Sequence, residues 1–362
     1  MFDKRELVGA VAAAADAWMH PDYDPRQVAV EETLEAPNTF TEEAVAFAVN
    51  QQMSLLTEEA LEAWTGSRSA SSPCTVGVLN AGNIPLVGLQ DFLAVVLTGH
   101  RYLGSVSSKS PALLPAFVAD LCRFAPDIAA NFAPLSELLA GADALIATGS
   151  DETIAWLRDG APDPAPDDGQ GETTGRMHDI PPARCLFRGH SFAVGVLDGK
   201  ERAKTYERFA EDVLLHEGFG CRNVAVMWAP RGLVPDDLLE AMARFRGVFP
   251  AHRRTAGRLA MQRALLEAVD ASHAYGEGLE FLVSRGEPEI QSPGHLRWAE
   301  YDDTADVNAW LDKQPVQLVV ATPRVQKRLR FQGLTLTPGE AQRPALDWRP
   351  DGVDTLDFLS DL

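Results

Sequence analysis

The texture of apolar positions changes along the chain. From residue 3 to residue 65 apolar side chains recur every three to four places, in Ala-rich amphipathic runs around Val8–Trp18 and Glu42–Leu56, and this spacing predicts helices. From Thr75 the pattern shifts to short apolar blocks. Val76–Leu79 predicts a buried strand ending in Asn80-Ala81-Gly82-Asn83-Ile84-Pro85. A strongly apolar helix is expected from Leu86 to Leu97, with Gly99 as its carboxyl cap. Arg101–Val106 reads as a second strand. Ser107-Ser108-Lys109-Ser110-Pro111 then opens another helix, with Ser110 as N-cap and Pro111 at the first helical position. Ala144–Ala147 reads as a third strand, followed by Thr148-Gly149-Ser150-Asp151 and a helix to Leu157.

Strand, turn and helix repeated three times predict a parallel sheet with crossover helices. Ligands of such sheets bind beyond the carboxyl ends of the strands, where these three Gly-, Ser- or Asn-rich turns lie. Each turn leads to a helix N-terminus, whose free N–H groups favour anions such as pyrophosphate. Gly160–Pro182 is rich in Pro, Asp and Gly and is expected to be an exposed, disordered loop. Beyond it, strand-like runs at Phe192–Leu197, Val224–Trp228, Leu279–Val283 and Gln317–Ala321 alternate with helical runs at Lys204–Leu215, Pro235–Arg244 and Arg258–Ala268. This predicts a second α/β unit. No internal repeat is visible.

Composition narrows the function. The 362 residues are 46% hydrophobic and 23% charged, which is globular, and no apolar run is long enough to span a membrane. The charged start, Met1–Arg5, leads into an Ala-rich helix broken by Asp16 and lacks the apolar core of a signal peptide, so a cytoplasmic protein is expected. A formal net charge of -20, spread along the chain, excludes nucleic acid as a partner class, because phosphate-backbone binding needs basic patches. Cys74, Cys122, Cys185 and Cys221 form no Cys-x-x-Cys pair, and none has His at metal-ligand spacing, so no metal is expected.

Cys221 stands out among the thiols. It lies between a helix and a strand, after Gly218 and Gly220, and Arg222 beside it favours the thiolate. The other three cysteines read as small buried hydrophobes. Asn83 is either an oxyanion donor or the N-cap of the helix near Pro85. Thr148-Gly149-Ser150 either holds a cofactor phosphate or caps a helix. No Gly-x-Gly-x-x-Gly fingerprint occurs. His252-Arg253-Arg254, a rare basic cluster, suits a phosphate, or a surface or subunit salt bridge.

Together these blocks resemble the aldehyde dehydrogenase superfamily. They are most similar to its long-chain fatty acyl-CoA reductases of the bioluminescence (LuxC-like) type. The similarity runs from about residue 40 to the end. It rests on Ala81-Gly82-Asn83-Ile84-Pro85-Leu86-Val87-Gly88, Ala147-Thr148-Gly149-Ser150, Gly218-Phe219-Gly220-Cys221-Arg222-Asn223-Val224 and the Gly352–Leu359 tail. The resemblance implies a Rossmann-like cofactor domain with a helical N-terminus over 1–195 and a catalytic α/β domain over 196–330. It implies a segment over 331–362 that returns to the cofactor domain. By the same resemblance Cys221 is the acyl-carrying nucleophile, Asn83 completes the oxyanion hole with the Cys221 backbone N–H, and Gly149 and Ser150 lie by the cofactor. Glu289, in Glu289-Ile290-Gln291-Ser292-Pro293, corresponds loosely to the Glu that binds the nicotinamide ribose.

Two departures from the family pattern shape the expected reaction. The general-base Glu of oxidising members falls at Leu186, in Leu186-Phe187-Arg188-Gly189-His190-Ser191. Without that base, water attack on an acyl-enzyme is impaired, which favours exchange with CoA over acid formation. The cofactor-ribose Lys falls at Ser105, with Lys109 close by. The resemblance therefore implies reduction of a long-chain acyl-CoA to aldehyde through a Cys221 thioester, with NADPH, or NADH, as cofactor. The donor is an acyl-CoA or an acyl-protein. The alternative is an acyltransferase or acyl-carrying subunit without redox activity, and a degenerate scaffold on the same fold is a third reading. A homo-oligomer or an acyl-transferring partner subunit is allowed.

Overall fold

The computed structural model describes residues 3–159 and 179–362. Most of the loop expected at Gly160–Pro182 therefore lies outside the described residues, and its end at Pro182–Arg184 is a turn of 3₁₀ helix. The described residues form two compact units. The first takes the chain up to Asn38, from Val45 to His190 and from Ala345 to Leu362; the second takes Thr39–Ala44 and Ser191–Pro344.

The first unit holds strands β1 (Thr75–Leu79), β2 (Arg101–Ser105), β3 (Ala130–Phe132), β4 (Ala144–Thr148) and β5 (Cys185–Arg188). They form a parallel sheet in the order β3-β2-β1-β4-β5. Val76 and Val78 are buried in the middle of it, as expected of a parallel strand covered on both faces. The helix Lys4–Met19 is capped by Asp3, whose carboxylate accepts from the N–H groups of Arg5 and Glu6. Its buried stripe runs through Leu7, Val11, Ala14 and Trp18, and the Trp18 indole donates to Asp120 at 3.0 Å.

The second unit holds β6 (Phe192–Val196), β7 (Val224–Pro230), β8 (His273–Tyr275), β9 (Leu282–Arg285), β10 (His295–Tyr301), β11 (Val316–Ala321) and β12 (Leu334–Leu336). Their order is β12-β11-β6-β7-β10-β9-β8, and only the edge strand β8 is antiparallel. Side chains alternate between two cores. Met227, Leu296 and Trp298 pack on the helices Ala203–Leu214 and Asp236–Arg246, while Val226, Trp228 and Tyr301 pack with Val307 and Trp310 of the helix Thr304–Leu311.

Several expected boundaries move, each for a local reason. The helix expected from Leu86 begins at Leu89, because Leu86 is left-handed (φ 56°) and buried, and Gly88 occupies the N-cap. Gly99, at φ 91°, ends that helix as expected. Ser110 is not an N-cap. Its N–H closes a turn onto the Ser107 carbonyl, and the helix starts at Leu113 behind Ala112. The strand expected at Leu279–Val283 starts at Leu282, since Gly278 and Leu279 are left-handed in a 3₁₀ turn. Strand β10 escaped the sequence reading because Arg297 and Glu300 interrupt its apolar run, although the strand lies between β7 and β9. The short strands β3, β8 and β12 are three residues each, too brief for any period to show.

Candidate active site

In the first unit the expected residues gather at the carboxyl edge of the sheet. Asn83 follows β1, Ser105 ends β2, and Gly149 and Ser150 follow β4. Two of these loops touch. A side chain at Gly82 would stand 2.4 Å from the Ser107 hydroxyl and 3.2 Å from Cβ of Lys109, so only glycine lets the loop after β1 close on the loop after β2. This brings Asn83 and Lys109 into one neighbourhood. Asn83 is half-buried and lies six residues before the helix at Leu89, so the N-cap reading of this residue is wrong. Asn80, in contrast, is structural: its amide donates to the Tyr102 hydroxyl and to the carbonyls of Val78 and Ser105.

Ser105 is buried and Lys109 is exposed. Ser150 acts as a cap for the helix Asp151–Asp159, its hydroxyl accepting from the Thr153 N–H at 3.3 Å. The first turn of that helix also carries Asp151 and Glu152, and their negative charge weakens its attraction for a phosphate. A hydrogen bond from its own backbone N–H, and after it the Ser150 side chain, hold the Glu152 carboxyl below its ordinary range. Asp151 accepts from the His190 N–H at 2.7 Å, which ties this turn to the end of β5. Leu186, where the resemblance places the general base, is a buried β5 residue paired with Ile146. Two places on, Arg188 forms a buried ion pair with Asp91 (2.7 Å) and donates to the Thr355 hydroxyl, anchoring the C-terminal helix Thr355–Ser360. Sequence reading missed this group, since nothing along the chain pairs positions 91, 188 and 355.

In the second unit Cys221 sits on a half-buried turn just before β7. The turn follows three consecutive left-handed residues: His216 (φ 54°), Glu217 (φ 56°) and Gly218 (φ 76°). For the two non-glycine residues this conformation costs about 1–2 kcal/mol each. Buried partners hold it. The Glu217 carboxylate pairs with Arg246 at 2.7 Å and accepts from the Thr255 hydroxyl. Gly218 is required for space as well as conformation, because a Cβ there would stand 2.7 Å from the Gly294 nitrogen. Arg258 stacks over Phe219 at 4.7 Å and donates to the Pro293 carbonyl. Burial lowers the pKa of His252 and of Arg258 and the Glu217 charge opposes the shift in both, so His252 is the member of the basic cluster read from the sequence that faces this buried carboxylate.

The other side of the turn is held by Asn223 and by the segment Thr337–Arg343. The Asn223 carbonyl oxygen accepts from the Gly220 N–H, and its amide donates to the carbonyls of Asp212, Val213 and Leu215. Gln342 donates to the Arg222 carbonyl at 2.9 Å. Arg222 is buried and donates to the Ala341 carbonyl. Burial lowers its pKa to about 10, and the charge of Cys221 opposes that shift, which places the guanidinium within electrostatic reach of the thiol. Asp212 is fully buried and accepts the N–H groups of Gly339 (2.7 Å) and Ala341 (3.1 Å). Desolvation raises its pKa to about 7. Glu289 stands elsewhere in this unit. It is exposed on the connection from β9 to β10 and lines an open concavity with Ile290, Trp310 and Gln314.

The remaining thiols have ordinary settings. Cys74 is buried against the His100 ring at 3.3 Å, and burial pushes its pKa up. Cys122 and Cys185 are half-buried, on the helix Leu113–Phe124 and at the start of β5. Among the described residues no His, Cys, Asp and Glu group has the makings of a metal site, and no helix is long and apolar enough to cross a membrane.

No protein-family profile matches the chain, and no curated protein matches it. Solved structures do. An indole-3-acetaldehyde dehydrogenase solved with NAD+ superposes with a TM-score of 0.69 at 14% identity, over 93% of this chain and 77% of that one. Aldehyde dehydrogenase 21 from Physcomitrella patens, solved with its product succinate, gives 0.69 at 12% identity, over 99% and 84%. The aldehyde dehydrogenase KauB from Pseudomonas aeruginosa gives 0.65 at 14% identity, over 93% and 77%. The chain thus has the aldehyde dehydrogenase-like α/β fold that the resemblance led us to expect.

Proposed function

We propose that this protein is an oxidoreductase that reduces an activated acyl group, most simply a long-chain acyl-CoA, to the aldehyde through a thioester on Cys221. The observation that carries this reading is the Cys221 turn itself. Two non-glycine residues in the left-handed region, His216 and Glu217, stand in the loop that leads to the thiol, and strain of this kind persists where surrounding structure holds it. The direction of reaction rests on Leu186, a buried apolar strand residue at the place of the hydrolytic base.

The Cys221 thiolate attacks the thioester carbonyl, forming an S–C bond and an oxyanion. The Cys221 backbone N–H and the Asn83 amide are assigned to that oxyanion by the resemblance. Collapse breaks the carbon–sulfur bond to CoA, whose thiolate leaves and takes up a proton. Unit 1 suits a nicotinamide dinucleotide at the carboxyl ends of β1 and β2, where Gly82 lets the loop carrying Asn83 close on the loop carrying Ser107 and Lys109. Lys109, Gly149 and Ser150 are the residues of this unit that would hold it, the resemblance assigns Glu289 to the ribose, and NADPH is the form we favour. When bound, the reduced nicotinamide supplies hydride to the acyl carbon. The resulting hemithioacetal oxyanion expels the Cys221 thiolate and releases aldehyde.

Incubation with an acyl-CoA panel, followed by mass spectrometry of the intact protein and its peptides, tests the reading. A long-chain acyl adduct on Cys221 that is discharged as aldehyde by NADPH is expected, and Cys221→Ala should abolish both. Aldehyde formation by Cys221→Ala would overturn the proposal. One observation favours the non-redox acyltransferase reading: Ser105 is buried where the family's Lys reaches the ribose, and Asp151 and Glu152 stand at the neighbouring helix start. Acylation of Cys221 in a protein that binds neither NADPH nor NADH by calorimetry would decide for it.

A further inference from the structure

The basic run His252-Arg253-Arg254 stands at the start of the helix Thr255–Ala268, and the reaction assigned to Cys221 makes no use of it. Arg253 and Arg254 are exposed, and among the described residues neither forms an ion pair. Arg246, which belongs to the same neighbourhood, is only 4% exposed. Its Nη1 donates to the Glu217 carboxylate and to the Phe249 carbonyl, while its Nε and Nη2 are buried without a partner. Arg258 repeats the pattern: Nε donates to the Pro293 carbonyl, and the buried Nη2 has no acceptor. Buried donors left unmet are costly, and in folded proteins they are answered by a ligand or by ordered water.

Charge identifies the class of ligand. Burial lowers the pKa of His252, Glu217 opposes the shift, and Arg254, Arg253 and Arg258 add to it. Arg258 in turn feels both Glu217 and Arg246, so all these groups share one electrostatic neighbourhood. Four guanidinium groups, on Arg246, Arg253, Arg254 and Arg258, thus meet the one carboxylate of Glu217, in a chain whose net charge is -20. The helix takes no side-chain cap at Arg254, and the positive end of its dipole adds to the same field. A side chain at Gly257 would meet nothing within 4 Å, so the first turn borders open space. Guanidinium forks match the oxygens of a phosphate. We propose that Arg246, Arg253, Arg254 and Arg258 form a binding site for a phosphate group. Glu217 stands four residues before Cys221, so the chain allows at most about 14 Å between their Cα atoms. A donor that presents its thioester on a phosphate-bearing arm, as CoA does, suits this spacing. That identification rests on the Cys221 reading, whereas the phosphate site does not.

Isothermal calorimetry of the full chain with inorganic phosphate, and then with CoA, tests the site. The wild type is expected to bind phosphate. Arg253→Gln/Arg254→Gln, both on the surface, should weaken that binding about tenfold at unchanged circular dichroism. Glu217→Gln removes the competing carboxylate, so phosphate should raise its melting temperature more than it raises that of the wild type. Displacement of phosphate by CoA supports the site and names the acyl donor as the source of the phosphate. Phosphate binding that CoA does not displace supports the site with free phosphate as its ligand. A wild type that binds no phosphate, or an Arg253→Gln/Arg254→Gln variant that binds it as tightly as the wild type, overturns the proposal. Acylation of Cys221 is read separately by mass spectrometry. A thiol that takes no acyl group would sink the proposed reaction and leave the phosphate result standing; an acylated thiol in a protein without phosphate binding would sink only the site.

Discussion

Asp212 makes a quantitative prediction. Its carboxyl group is fully buried, it receives two backbone N–H groups from Gly339 and Ala341, and its pKa rises from 3.8 to about 7 because desolvation outweighs those two bonds. The folded state therefore holds a proton that the unfolded chain has already lost between roughly pH 4 and pH 7. Where the native state binds more protons, stability falls as pH rises. The contribution is fully present below the unfolded value and is lost as pH climbs through about 7. At 1.36 kcal/mol per pH unit, the part lost between pH 5 and pH 7 is about 2–3 kcal/mol. Asp212→Asn removes the titration and leaves one backbone N–H facing an amide nitrogen, which costs about 1–3 kcal/mol at every pH. Urea unfolding of both proteins at pH 5, 6, 7 and 8 isolates the effect, because other titrating groups cancel in the difference. The gap between wild type and variant is expected to widen by about 2–3 kcal/mol on going from pH 8 to pH 5. A gap that stays constant across the series would refute the raised pKa and the desolvation argument behind it. The same variant should alkylate faster at Cys221, since Asp212 ties the Gly339–Ala341 backbone that receives Arg222.

Other perturbations follow from the same network. Asn223→Ala strips the Gly220 N–H of its acceptor and three carbonyls of a donor. It should cost about 2–3 kcal/mol in urea unfolding and raise the iodoacetamide rate at Cys221 severalfold. Glu217→Gln leaves Arg246 buried without its counter-charge and should cost about 3–5 kcal/mol, whereas Glu217→Gln/Arg246→Met should cost less than the sum of the single changes. Arg188→Met strands the Asp91 carboxylate and frees Thr355. It should destabilise the fold by a similar 3–5 kcal/mol and speed hydrogen exchange in Thr355–Ser360, and intact protection there would count against the anchoring role.

The sequence alone determined the central strands of the two sheets and the turns that follow β1, β2 and β4, but not β10 or the three-residue edge strands. Val76–Leu79, Ala144–Ala147 and Phe192–Leu197 are runs whose burial on both faces demands continuous apolar character, so their composition is sufficient evidence. Gly99 was legible for the same reason: a helix end in left-handed conformation selects glycine. Gly218 was legible because close backbone approach leaves a compositional trace. What only the tertiary structure decided is how that turn is held. Asp212, Glu217, Arg246 and Gln342 look like ordinary surface polar residues one at a time, and their meaning comes from partners up to 130 positions away. The helix start at Leu89 and the failed caps at Asn83 and Ser110 were decided the same way. A cap needs a backbone to bond to, and Gly82, Gly88 and the buried Leu86 commit that backbone to packing against neighbouring loops. Local pattern records what a segment buries; which polar group answers which charge is settled only when the chain brings distant positions together.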